Sequence, residues 1–128
     1  MRDKQPGDGR NAALLLAALR TVGGAAFLAP TLGTRNFGIK DDAEGIYLVR
    51  LFAARNIAVA GGLLLSKGPA RRLWFQAGAV CDALDTAAGL DALRTGRKAG
   101  AAVHTLAALA ATAVGVAGAR SARGEAER

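Results

Sequence analysis

Four stretches of mostly apolar residues alternate along the chain with short segments rich in charge, Gly or Pro. They run from about Ala12 to Leu32, Ile46 to Leu65, Leu73 to Leu93 and Ala99 to Ala119. A hydrocarbon core takes roughly 20 residues of helix to cross. Lipid permits little besides helix at that length, because each backbone N–H and C=O must find its partner within the protein. The pattern predicts an all-α chain: a four-helix transmembrane bundle over residues 1–128, up-down-up-down, with polar tails at 1–10 and 120–128. The fourth stretch is the clearest, since only His104, Thr105 and Thr112 interrupt its Ala, Val, Leu and Gly. The third is the weakest because it contains Asp82, Asp85 and Asp91. Each central Asp costs roughly 2.5–3.5 kcal/mol on an insertion scale, more than an Ala-rich remainder offsets. The breaks are marked by Pro30, Gly33 and Gly38, by Lys67-Gly68-Pro69, and by Thr95-Gly96, where Gly96 suits a helix C-terminal cap.

Composition adds a packing argument. Apolar residues make up 52% and aromatics 5% of the chain, so Ala and Gly supply much of the apolar surface. Small residues allow the close helix contacts that hold proteins together in lipid. The Ala, Gly and Arg bias also fits a high-GC bacterial genome. A net charge of +7 raises nucleic acid as a partner, but the cations flank apolar runs as topogenic charges do, so the lipid bilayer is the partner expected and nucleic acid is not. Arg2, Lys4, Arg10, Lys67, Arg71, Arg72, Arg120, Arg123 and Arg128 fall on one side of the predicted spans. They outnumber Arg35, Lys40, Arg94, Arg97 and Lys98 on the other, which places both termini in the cytoplasm. The opening Arg2, Lys4 and Arg10 before Ala12–Leu19 imitate a signal peptide, with a cleavage point near Gly24–Ala26 as the alternative to a retained span. The apolar run resumes after Arg20 and favours retention.

Charges within the spans carry the candidate chemistry. Arg20 lies in the first, Arg50, Arg55 and Asn56 in the second, Asp82 and Asp85 in the third. Reflecting neighbouring helices about their turns sets Arg55 level with Asp82, Arg50 level with Ala87, and Arg20 level with Ala58. Asp82 and Asp85, three apart, share a helical face. An isolated charge at that depth is costly, so the residues should turn inward and pair. The expected pairs are Arg55 with Asp82, and Arg20 with Asp82 or Asp85, Asn56 donating a further hydrogen bond. Such a cluster is either a structural clasp that fixes helix register, or a functional polar site: a proton relay, or a pocket for a small anion or quinone-like headgroup. His104 is expected near Ala88, where contact with Asp85 or Asp91 would make it a titrating residue. The plainer reading is an imidazole bonded to a carbonyl or Thr105.

Trp74 with Phe75 after Arg71-Arg72, and Tyr47 at the opposite end, read as aromatic interface anchors. Gly61-Gly62, and Ala111, Gly115 and Ala119, read as close-packing surfaces facing either the chain's own helices or a second protomer. Cys81 is the one cysteine, so no intrachain disulfide forms and a small buried apolar role is expected. No metal or cofactor site is expected, for want of paired ligands. No glycine loop with a Lys, and no Ser–His–Asp set, points to an enzyme; Gly23-Gly24 follows no strand.

The Arg within the first span, Ala-Arg-Asn (Ala54–Asn56) followed by Gly61-Gly62, and Asp82-x-x-Asp85 resemble a group of small bacterial and fungal four-helix membrane proteins of unknown function, distantly similar to DoxX-like proteins. That group usually has Ala-Arg-Asp, so Asn56 departs from its pattern and removes one acid. The resemblance implies a four-helix bundle and no known activity. The resulting expectation is a non-catalytic accessory or interaction component of the inner or plasma membrane, within a homo-oligomer or a larger complex. The alternative is a small transporter or binder using the Arg–Asp cluster. A soluble Ala-rich bundle is the third class.

Overall fold

The computed structural model describes residues 8–96 and 101–126. Arg2, Lys4, Arg97, Lys98, Arg128 and the expected helix start at Ala99 lie outside them. All regular structure among the described residues is helical: α1 (Asp8–Gly24), a 3-10 turn (Ala25–Phe27), α2 (Pro30–Phe37), α3 (Ala43–Leu65), α4 (Gly68–Arg94) and α5 (Ala101–Ala126).

The first apolar stretch is not one helix over 12–32. It breaks after Phe27, and the segments Gly9–Phe27 and Pro30–Phe37 meet at 109°. Proline is the cause. Pro30 sits in the first turn of α2, where a missing N–H costs nothing. A following proline disfavours helical backbone, and Ala29 takes a non-helical conformation (φ −127°, ψ 63°). Pro30 thus starts a helix where the sequence suggested an end. The real stop is Gly38, whose φ of 65° suits a residue without Cβ. There the N–H of Ile39 closes on the Thr34 carbonyl at 2.9 Å. Asp42 then opens α3, its Oδ1 accepting from the Gly45 N–H at 2.9 Å.

Helix α1 packs against α3 and α5, α3 against α4, α4 against α5, and α2 against α3. The apolar core draws Ala13 and Leu16 from α1, Val59 and Leu63 from α3, Phe75 from α4 and Ala122 from α5. Phe75 is therefore a core residue, 1% exposed, and not an interface anchor beside Trp74. It sits inward because α5 presents Gly118, where a Cβ would meet the Phe75 ring. Similarly, a Cβ on Gly115 would lie 3.2 Å from that of Ala79. Ala111 and Ala119 pack on the same core, so this small-residue face meets the chain's own helices. Gly62 accommodates the Trp74 indole, whereas Gly61 has nothing beside it.

The outer surface is apolar. Leu15, Leu19 and Val22 of α1, Leu48 and Leu51 of α3, Val80 and Leu84 of α4, and Val103 and Leu106 of α5 are all exposed. Among the described residues two helices, Ala43–Leu65 and Ala102–Arg123, are long and apolar enough to cross a membrane. Their most apolar windows are only 33% and 17% buried within the protein. The bent pair of α1 and α2 reaches the same standard when taken together. Helix α4, carrying three Asp residues, does not.

Candidate functional site

Each helix carries its polar residue on the stripe that faces inward. On α1 the buried positions include Ala13, Leu16, Ala17 and Arg20, a spacing of three and four that keeps them on one face. On α3 Asn56 continues the stripe of Val49 and Ala53 towards Val59, Ala60 and Leu63. On α4 Asp82 follows Phe75, Gly78 and Ala79. The residues that should cost most in an apolar interior thus occupy core positions. Arg20 and Asp82 are each 5% exposed.

There they satisfy one another. Arg20 Nη2 meets Asp82 Oδ2 at 2.5 Å and donates to the Gly78 carbonyl at 3.2 Å. Arg20 Nη1 donates to Asn56 Oδ1 at 3.0 Å. The Asn56 amide is oriented by its own Nδ2, which donates to the Phe52 carbonyl at 3.1 Å. One guanidinium therefore ties α1 to α3 and α4 together, using the planar fork that suits arginine to such sites. Gly78 makes the approach possible, since a Cβ there would stand 3.0 Å from Arg20 Nη2 and 3.2 Å from a Val59 methyl. Arg20 Nε is buried without a hydrogen-bond partner.

A second pair lies one turn along α4. Arg55 donates through Nη1 to Asp85 Oδ1 at 3.0 Å and through Nη2 to Asp85 Oδ2 at 2.5 Å. This bidentate pair is open on one side: its side chains are 31% and 33% exposed, against 6% and 7% for Arg20 and Asp82. The Arg55 guanidinium carbon stands 5.0 Å from the Phe52 ring centroid. Phe52 meets Phe37 edge-on at 5.0 Å, and Phe37 stacks on His104 at 4.2 Å. An aromatic column thus runs from α5 through α2 to the Arg55 pair.

Arg20, Arg55, Asn56, Asp82 and Asp85 come together, with several corrections. Arg55 binds Asp85, not Asp82. Helical side chains lean towards the N-terminus of their own helix, which carries the Arg55 head about one turn from its Cα, while Arg20 occupies Asp82. Asn56 accepts from the arginine instead of donating to the cluster. Arg50 is outside it. Five residues from Arg55 is about 140° around a helix, and Arg50 is exposed, 5.9 Å from the Phe27 ring centroid. His104 does not meet Asp85 or Asp91; its Nε2 lies 3.1 Å from the Asn36 carbonyl. Thr105, one residue on, is the group that faces α4, where a Cβ on Gly89 would meet its hydroxyl. That single step turns His104 away towards α2.

Sequence reasoning missed Gly78, Phe52 and Phe37. Gly78 had a readable signal, lying four residues before Asp82 and hence beneath it on the same face. Phe37 had none, because its position depends on the bend at Pro30. Gly23 and Gly24 are where α1 approaches α3: a Cβ on Gly23 would lie 3.2 Å from Asn56 Nδ2. No protein-family model, curated protein or solved structure matches this chain.

Proposed function

We propose that the chain is a four-span protein of the inner or plasma membrane, with both termini cytoplasmic, acting as a non-catalytic interaction component. In this reading α1, α3, α4 and α5 run up-down-up-down, and α2 lies across the outer interface. The observation that carries it is the inverted distribution of polarity. Large aliphatic side chains point outward from every long helix while Arg20 and Asp82 are sealed inside. Water would favour the reverse, whereas lipid favours outward aliphatics and inward, paired charges. Helix α4 falls short in apolar character because of its acids, and pairing Asp82 and Asp85 with arginines removes most of that penalty. The likeness to small membrane proteins of unknown function, distantly DoxX-like, agrees with this architecture and adds no activity.

The Arg55–Asp85 pair is the place where a role in assembly and a role in binding or transport part. A charged pair one-third exposed at the depth of a span requires cover from a second protein surface or a water-filled cleft. Cover by a second copy or another membrane protein makes the chain an interaction component. A water-filled cleft makes it a small transporter or a ligand- or proton-binding protein, and the same exposure supports that second reading.

Alkaline carbonate washing of membranes containing the full chain tests the first claim. The chain should stay in the pellet, and release into the supernatant would favour a soluble bundle. Asp82→Asn and Arg55→Gln then separate clasp from contact. Asp82→Asn should lower the amount of folded protein in the membrane. Arg55→Gln should leave the amount near wild type but abolish in-membrane cross-links to neighbours. Wild-type accumulation of Asp82→Asn would remove the clasp from the account.

A further inference from the structure

A groove of about 550 Å³ opens where the start of α1 meets the turn between α3 and α4. Arg10, Lys67 and Arg71 converge on it, and Leu14, Leu63 and Leu64 form its apolar wall. Among the described residues lining it there is no carboxylate. Arg71 is held in place by its Nε, which donates to the Ser66 carbonyl at 2.9 Å. That bond fixes the arginine stem against the turn and leaves the outer guanidinium nitrogens for another acceptor. Leu63 is buried at the base, whereas Leu14 and Leu64 are half-exposed and continue into the apolar outer surface of α1 and α3. Cations above an aliphatic wall that runs out to the lipid-facing side form two-part chemistry. The upper part suits a phosphate, the lower part an acyl chain.

We propose that this groove binds the phosphate headgroup of an anionic phospholipid from the cytoplasmic leaflet, with an acyl chain lying along Leu14 and Leu64. The inference rests on the membrane reading above, which sets the α3–α4 turn on the cytoplasmic side. A soluble phosphate would use the three cations but gain nothing from the continuous apolar wall, so the lipid is the better-matched ligand. Interfacial cations attract anionic headgroups, and clusters of them give selective binding.

The test is native mass spectrometry of the purified full chain, released from micelles doped with phosphatidylglycerol or with phosphatidylcholine. Wild type should retain phosphatidylglycerol adducts in preference to phosphatidylcholine. Each of Arg10→Gln, Lys67→Gln and Arg71→Gln should weaken retention about fivefold. Arg72→Gln, one residue further on and off the groove, should leave it within about twofold. Equal retention of the two lipids, or equal loss with Arg72→Gln, would overturn the proposal. Displacement of the bound lipid by millimolar inorganic phosphate would assign the site to a soluble anion and overturn it as well. Carbonate washing keeps the two levels separate: a chain retained in the membrane but without lipid preference loses only this inference.

Discussion

The two arginine–aspartate pairs begin three residues apart on α4 yet sit in different surroundings. Arg20 and Asp82 are enclosed by three helices, with Asn56 and the Gly78 carbonyl completing the shell. Arg55 and Asp85 have better mutual geometry, two parallel bonds, but one open side. Enclosure, and not bond count, should decide what each pair is worth. Removing one partner of an enclosed pair strands the other charge, whereas a partly open pair can relax towards solvent or a neighbour. The comparison separates a clasp that holds the helices from a contact that faces outward.

The largest expected effect comes from breaking the sealed pair. Asp82→Asn should destabilise the fold by about 3–5 kcal/mol, because the Arg20 charge stays buried. Thermal unfolding in detergent would measure it. The double replacement Arg20→Met with Asp82→Leu should recover most of that loss, since an apolar pair of similar volume leaves no stranded charge. Failure to recover would mean that the pair itself, not its incompleteness, stabilises the protein. Gly78→Val comes next. Its side chain would enter the space held by the Arg20 guanidinium and Val59, and should cost about 1–3 kcal/mol as an overpacked core. Arg55→Gln should cost about 1 kcal/mol or less, in keeping with its exposure. Arg50→Gln, outside both pairs, should stay within about 0.5 kcal/mol. A loss at Arg50 equal to that at Arg55 would erase the difference between pair and surface.

Much of this arrangement was legible in the residues. Hydropathy marked the stretches that became α3 and α5, and the cost of charge at depth required Arg20 and Asp82 to turn inward and meet partners. The three-residue spacing of Asp82 and Asp85 was enough to place two acids on one face. What escaped was directional. Reflecting helices about their turns aligns Cα atoms, but the Arg55 head lies about one turn from its Cα and so finds Asp85. His104 and Thr105 stand at nearly the same depth, and only the packing of Gly89 against Thr105 decides which of them faces α4. The bend before Pro30 was hidden because hydropathy is blind to direction: Leu28 and Leu32 read as continuous with α1 although the chain has turned by 109° between them. Proline's preference for a first helical turn was the signal that marked it.

A double-mutant cycle on each pair in the full chain, read as unfolding free energy, decides whether enclosure sets what each pair is worth. A coupling of about 3 kcal/mol is expected between Arg20 and Asp82, and about 1 kcal/mol or less between Arg55 and Asp85. Equal couplings, or a larger one for the half-open pair, would contradict it.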